Sequence, residues 1–296
     1  CLYNVVDAAK IQKDEPMKKH TTFRIGGPAD YFIMPSNEKE LAETIRVCRK
    51  FSIPIYIVGN GSNLLVGDKG FRGAIIQLYK SMGTFQVEGN QITAQAGCSL
   101  AQIANAALDA ALTGFEFAAG IPGTLGGAVV MNAGAYGGEM KDVLTRVRGM
   151  AEEGEVMEVP AGKLGLGYRT SIIPEKRYIV LGAVISLTEG KKEEIKAQMD
   201  DFRQKRVSKQ PLEYPSAGST FKRPEGYFAG KLIQDSGLKG FTVGGAQVSE
   251  KHSGFVINKG NATAADVMEL IRQVTAKVKE DTGVTMEPEV KQIGEF

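Results

Sequence analysis

Two glycine-rich segments carry the residues best suited to holding a phosphorylated ligand. Val58-Gly59-Asn60-Gly61-Ser62-Asn63 directly follows the β-branched run Ile55–Val58. A loop in that place can turn backbone N–H groups on a phosphate, because glycine allows positive φ and close approach. Ser62 and Asn63 add side-chain donors. The segment is not a GxGxxG fingerprint, since Leu64 stands where the third glycine belongs and another apolar run follows in place of a helix. Taken alone, such a loop is more often an ordinary turn. The second segment is denser. Gly120-Ile121-Pro122-Gly123-Thr124-Leu125-Gly126-Gly127-Ala128 is followed by Asn132-Ala133-Gly134-Ala135-Tyr136-Gly137-Gly138-Glu139, with eight glycines between 114 and 138. Glycine in regular structure costs up to ~1 kcal/mol relative to alanine. Backbone threading past a flat ring and a pyrophosphate would justify that cost; a turn cluster without a ligand is the alternative.

The elements that must position these loops alternate between strand and helix. Tyr31–Met34 is a short apolar run, and Ser36 or Asn37 can cap a helix whose Leu41, Ile45, Cys48 and Phe51 share one face. Ile55–Val58 follows as a strand. Thr84–Glu88 and Ile92–Ala96 flank Gly89-Asn90 as a hairpin. A second helix begins near Ser99, with Leu100, Ile103, Ala107 and Ala111 on one face and Gly114 as its stop. Val143–Met150 and Val156–Pro160 surround Glu153-Gly154, and Tyr178–Leu187 reads as a buried strand. The composition changes at Gly190. Lys191–Lys209 is a charged helix with a narrow stripe of Ile195, Met199 and Phe202. A short helix over Ala229–Asp235 and glycine-punctuated strands follow. Thr263 and Asp266 form a capping pair for a helix with Val267, Ile271, Val274 and Val278 inward, and Val290–Ile293 closes the chain. The hairpins make the class α+β rather than a βαβ repeat. We expect two domains, 1–189 and 190–296.

Composition narrows the function classes. The chain has 296 residues with 36 basic and 34 acidic side chains, a balance unlike that of a nucleic-acid-binding face. No run approaches the ~18 apolar residues of a membrane helix, and no signal peptide is evident, so a cytosolic location is expected. The two histidines, His20 and His252, cannot build a multi-histidine metal centre, and no metal is expected. Cys1, Cys48 and Cys98 form no CxxC pair, which argues against a zinc site or a disulfide framework. Cys1 in place of Met suggests a trimmed or processed chain.

A family resemblance then becomes specific. His20-Thr21-Thr22-Phe23-Arg24-Ile25-Gly26-Gly27-Pro28-Ala29-Asp30, the Gly59–Val66 loop and the Gly120–Gly138 loop resemble the FAD domain of the UDP-N-acetylenolpyruvoylglucosamine reductases. The likeness continues through Gly167-Tyr168-Arg169-Thr170-Ser171, Ala217-Gly218-Ser219-Thr220-Phe221-Lys222, Ala229–Gly240 and Glu287-Pro288-Glu289-Val290, in the family's order and over nearly the whole chain. The resemblance implies a two-part FAD-binding domain of the vanillyl-alcohol-oxidase type, followed by a smaller α+β substrate-binding domain. It implies non-covalent FAD, with Gly59, Asn60, Gly61, Ser62 and Asn63 at the pyrophosphate. Gly120, Ile121, Pro122, Gly123, Thr124, Gly126, Gly127, Ala128, Asn132, Ala133, Gly134 and Ala135 would run along the flavin and ribityl chain.

It further implies NADPH as reductant, taking turns in one site with a UDP-sugar enolpyruvate, in bacterial peptidoglycan synthesis. By the same resemblance Ser219 is the proton donor, and Arg169 and Glu289 lie near the substrate carboxylate. Arg206 and Lys209, near the end of the 191–209 helix, could meet the diphosphate, or as cations could simply stabilise that helix C-terminus. Tyr168, Lys231, Gln234, Lys239 and His252 are further substrate candidates, with a surface histidine the commoner reading of His252. The short step from Tyr178–Leu187 to the helix at Lys191 leaves no inserted tyrosine-bearing loop, as in the family's shorter subtype. A monomer, with no nucleic-acid or membrane partner, is expected. Two other readings share the glycine loops: an oxidase of small alcohols or sugars, and a nucleotide-binding protein without redox activity.

Overall fold

The computed structural model describes residues 2–152 and 154–296; the expectations for Cys1 and for Glu153 lie outside the described residues. The chain packs as two compact units, each drawn from separate stretches of sequence. The first comprises Cys1–Gln12, Phe32–Asn60 and Ala74–Arg206, and the second Lys13–Tyr31, Gly61–Gly73 and Val207–Phe296. The packing division falls at Arg206, and it assigns two early segments to the later unit.

In the first unit, Asn37 caps α1 (Glu38–Lys50) by accepting from Glu40 N–H. Leu41, Ile45 and Cys48 are buried on one face, but Phe51 lies beyond the last turn and is 52% exposed. The chain returns through Ile55–Val58, which pairs in parallel with Ala74–Gln77. The main sheet is antiparallel and five-stranded, in the order Val156–Pro160, Leu144–Met150, Ile179–Ser186, Gln91–Gln95, Phe85–Glu88. The central strand Ile179–Ser186 is buried on both faces, whereas Gln91–Gln95 beside it buries alternate residues, Ile92 and Ala94. Helix α2 (Leu100–Asp109) starts from a Ser99–Gln102 capping box and ends before Ala111. The third helix, α3 (Leu125–Val130), lies inside the second glycine segment, where a loop was expected. Leu125 N–H and Gly126 N–H donate to Cys98 O and Ala96 O, at 2.8 and 2.9 Å. Helix α4 (Lys192–Lys209) follows, with Ile195 its buried contact.

The second unit holds an antiparallel sheet in the order Ser216–Ser219, Phe255–Asn258, Ala246–Val248, Thr242–Val243. Its other helices are α5 (Ala229–Asp235) and α6 (Ala264–Thr282). Val267, Ile271, Val274 and Val278 of α6 share one apolar core with Phe23, Ile25 and Leu65. That shared core is why the early segments join this unit: three large side chains remote in sequence are buried only there. Leu64–Val66 also pairs in parallel with Lys291–Ile293.

Thr263 and Asp266 form the expected box, each accepting from the other's backbone N–H at 3.0 Å. The Thr263 N–H bond, with that from Gly245, holds the Asp266 carboxyl below its ordinary value against the effect of burial. Thr263→Ala should cost about 1 kcal/mol, read as a lower urea midpoint.

Among the described residues no helix is long and apolar enough to cross a membrane. Cys48 and Cys98 are buried, and burial pushes both thiols up to about 11.

Candidate active site

In the first unit the start of the first glycine loop touches the second. Asn60 Nδ2 donates to Pro122 O at 2.8 Å, and Gln77 Nε2 donates to Gly59 O at 3.2 Å. A Cβ on Gly59 would lie 2.2 Å from Thr124 Oγ1, and one on Gly126 would lie 2.9 Å from Ala96 Cβ. These two glycines are required by packing of protein on protein. Gly127 differs: it is exposed, and a Cβ there would meet nothing closer than Thr124 Oγ1 at 3.7 Å. Ile121, Gly123 and Pro122 line the exposed turn before Thr124, while Ala128 and Ala133 are buried behind it.

Asn132 organises the rest of this segment. It is buried with φ 46°, a region a non-glycine side chain enters at a cost. Its Nδ2 donates to Glu139 Oε2 at 2.7 Å and to Gly167 O at 2.9 Å, and its Oδ1 accepts from Lys141 N–H at 2.9 Å. Both amide donors are engaged within the protein, so Asn132 shapes the loop. Gly134 and Ala135 pair with Gly138 and Glu139 in a tight hairpin whose turn carries Tyr136 at φ 54°.

Arg169 joins the same cluster. Its backbone is also left-handed, at φ 54°, and Nη2 donates to Gly134 O at 3.0 Å. Its guanidinium lies 5.2 Å from the centroid of the exposed Tyr168 ring. Three non-glycine residues with positive φ, Asn132, Tyr136 and Arg169, therefore gather around the Gly134–Glu139 hairpin. Strain of that kind concentrates at functional sites.

Glu139 sits beneath this group. Burial pushes its carboxyl up, but bonds from Lys141 and Asn132 and the charges of Lys141 and Arg169 outweigh it and hold the group below its ordinary value. A depressed carboxylate contributes stability above its unfolded pKa and loses it as pH falls through the folded one. Glu139→Gln should therefore flatten the loss of thermal stability on the acid side of about pH 4.5, measured as melting temperature against pH.

Helix α4 brings two residues to the same unit. Phe202 stacks on Tyr136, with centroids 4.5 Å apart and planes 9° apart. Arg206 lays its Cδ against Gly120, where a Cβ would come to 3.2 Å. Burial lowers the affinity of Arg206 for its proton, and the nearby Tyr136 opposes this. Among the described residues of its unit, no carboxylate forms an ion pair with that guanidinium.

In the second unit the first loop continues with Gly61 at φ 61°, where a Cβ would lie 2.2 Å from His20 O. Ser62 is half-buried. Asn63 Nδ2 donates to Glu289 O at 3.3 Å, and Asn63 O accepts from Lys291 N–H at 3.0 Å. Ser219 is exposed at the end of its strand. The strand pairs Ser216 with Ile257 and Ser219 with Phe255, so it carries one extra residue at a bulge containing Gly218 (φ 76°). A bulge re-aims the side chain that follows it. Buried Thr220 accepts from Glu289 N–H through its carbonyl at 2.7 Å, and through Oγ1 from Val256 N–H at 2.9 Å. Thr220 thus brings the Glu289 backbone beside Ser219.

The remaining expected residues are placed separately. Lys231 is paired with Asp235 at 2.7 Å along α5, and Gln234 and Lys239 are exposed. Lys209 is exposed at the end of α4, and its charge reaches His252. His252 Nδ1 accepts from Gly254 N–H at 3.1 Å. Tyr136, Phe202, Gln77, Glu139 and Thr220 were not among the expected site residues. Tyr136, Glu139 and Thr220 lie inside the motif segments quoted above and Phe202 on the narrow stripe of its helix, whereas nothing in the sequence singled out Gln77.

Comparison with known proteins gives the class first. Residues 29–160 match the family model of an FAD binding domain, so the fold is that of a flavin-binding protein with a further C-terminal domain. Residues 210–293 match the model described as the UDP-N-acetylenolpyruvoylglucosamine reductase C-terminal domain. The reductase of Agathobacter rectalis is 56% identical, covering 96% of this chain and 94% of that protein. That of Caldanaerobacter subterraneus subsp. tengcongensis is 54% identical, covering 99% and 97%. The crystal structure of the Thermus caldophilus enzyme superposes with a TM-score of 0.83 at 37% identity, covering 95% of this chain and 98% of that one. The chain belongs to the UDP-N-acetylenolpyruvoylglucosamine reductase family.

Proposed function

We propose that this chain reduces UDP-N-acetylglucosamine enolpyruvate to UDP-N-acetylmuramate with NADPH, through non-covalently bound FAD, in bacterial peptidoglycan precursor synthesis. The observation that carries the reading is the match to the family in both its FAD-binding and C-terminal parts. The residues fit the cofactor. Gly127 leaves its Cβ space open beside Thr124, and the exposed turn around Pro122 offers backbone for a flat group to approach. Residues 1–189 carry the FAD-binding role and 190–296 the substrate-binding role, with Glu289 reaching the reacting centre. The enzyme works in the cytosol as a monomer.

FAD, which the Gly59–Asn63 and Gly120–Ala135 segments would hold, would supply hydride-transfer chemistry between NADPH and the enol ether. The protein's task is then to stabilise charge and deliver one proton. Negative charge spreads from the neighbouring carbon into the substrate carboxylate, where the planar fork of Arg169 meets it. Ser219 gives its hydroxyl proton to that carbon; a hydroxyl suffices because the carbon is strongly basic. Glu289 assists as a hydrogen-bonded or protonated group, since a bare carboxylate would repel the charge. Arg206 and Lys209 bind the diphosphate, and a guanidinium with no carboxylate partner among the described residues of its unit suits an anionic ligand. Tyr168, Lys231, Gln234 and Lys239 complete the substrate side, Lys231 by exchanging Asp235 for the ligand. Gly59 to Asn63 and the Gly120–Ala135 segment hold the FAD.

The test is an anaerobic absorbance titration. The flavin band should bleach on adding NADPH and recover when UDP-N-acetylglucosamine enolpyruvate is supplied. Recovery only on admitting air would favour an oxidase, and a protein that retains no FAD after reconstitution would refute the reading.

A further inference from the structure

His252 makes contacts that a surface histidine does not need. Its Nδ1 accepts from Gly254 N–H at 3.1 Å, and its ring meets Phe255 edge-on with centroids 5.0 Å apart. A Cβ on Gly230 of α5 would lie 3.3 Å from its Cε1, so the ring fills the space beside that glycine. The turn it closes is held again by Phe255 N–H donating to His252 O at 2.9 Å, and Ser249 Oγ accepts from His252 N–H at 3.2 Å. The far side of the turn faces the proposed proton donor. Gly254 O accepts from Thr220 N–H at 2.9 Å, and Phe255 is the strand partner of Ser219. Two hydrogen bonds in series therefore connect the imidazole to the residue after Ser219.

We propose that His252 is a positioning residue for Ser219, its unprotonated Nδ1 closing the 252–254 turn that fixes the bulged end of the Ser216–Ser219 strand. The proposal rests on the reading of Ser219 as proton donor. It assigns His252 to the protein's own scaffold and not to substrate.

The acceptor role requires the neutral ring with its proton on Nε2. Burial, aided by the Lys209 charge, keeps the ring neutral to lower pH than an ordinary histidine, although its own backbone opposes this. The other charged groups on the surrounding elements have partners of their own: Lys231 pairs with Asp235 on α5, and Lys251 pairs with Glu213 and donates to Val207 O. Glu250, in the same loop, packs against Gly240 and adds to the field at Lys259. Protonation of the ring replaces the Nδ1 lone pair with a donor facing Gly254 N–H, and the turn must open. Because the ring's pKa is lowered, this happens on the acid side of the ordinary histidine value, and Ser219 loses its placement there.

The experiment compares wild type, His252→Asn and His252→Ala in the two half-reactions across pH, with amide resonances followed in 15N-labelled protein. An Asn Oδ1 can accept from the N–H two residues on, as the imidazole does, but does not titrate. Reduction by NADPH should be similar in all three. Reoxidation by the enolpyruvyl substrate should fall at acid pH in wild type and stay level in His252→Asn. In His252→Ala it should be slower by about 10- to 100-fold at neutral pH, the effect of a small misplacement. The Gly254 and Thr220 amides should shift with ring protonation in wild type and ignore pH in His252→Asn.

An alanine variant reoxidised at the wild-type rate would overturn the proposal. So would an asparagine variant as slow as alanine with the acid limb intact, or a Gly254 amide that does not follow the ring. A wild-type protein that NADPH reduces and the enolpyruvyl compound fails to reoxidise refutes the function instead, and the amide titration still decides the role of His252.

Discussion

Ser219→Ala should yield a protein that stays yellow and bleaches with NADPH at the wild-type rate, yet is reoxidised by the enolpyruvyl substrate about 10²- to 10⁴-fold more slowly, the usual worth of a positioned proton donor. The fold gives little reason for a general defect. Ser219 is exposed and ends its strand, so removing one oxygen leaves no buried partner unsatisfied. The bulge at Gly218 and the Thr220 bonds to Glu289, Gly254 and Val256 are backbone or Thr220 contacts that alanine preserves. Rapid-mixing absorbance would separate the half-reactions, and a mutant reoxidised as fast as wild type would remove Ser219 from the mechanism.

The second large effect is expected at Arg169. Arg169→Lys keeps a positive charge but loses the planar fork, and an electrostatic contact made in the transition state is worth about 10²- to 10³-fold. Reoxidation should slow by that factor, and binding of the enolpyruvyl substrate should weaken much less. The substitution also removes the Nη2 bond to Gly134 O, so FAD retention needs measuring beside it. If both half-reactions slow equally, Arg169 holds the Gly134 hairpin and nothing more.

Local signals in the sequence had local outcomes. The strand Ile55–Val58 and the helix Ala229–Asp235 have the bounds their patterns suggest, and the Thr263–Asp266 box forms because its two partners are three residues apart. Phe51 fits a helical stripe by spacing but falls one residue past the helix, where periodicity no longer governs burial. Helix α3 was hidden because Gly126-Gly127 reads as loop. It forms because glycine alone lets the backbone lie against Ala96, a tertiary reason invisible to propensity.

The candidate site follows the same division. Residue types suited to the chemistry stood in plain view at Ser219, Arg169 and the glycines. Their geometry depends on partners far off in sequence: Phe255 defines the bulge before Ser219, Gly167 and Glu139 orient Asn132, and Phe202 covers Tyr136. No spacing rule relates such pairs.

The interleaving of the two units bears on how the chain is made. Phe23, Ile25 and Leu65 leave the ribosome long before the α6 side chains that bury them. At about 5–20 residues per second, those apolar groups wait roughly ten seconds or longer for their core. The nascent chain therefore passes through a stage in which these apolar segments lack a native home and are open to chaperones or to association with other chains. For the same reason a fragment starting at Val207 would lack part of its own interior, so the family's C-terminal domain, although contiguous as a sequence match, is not a unit that can be cut out and expected to fold.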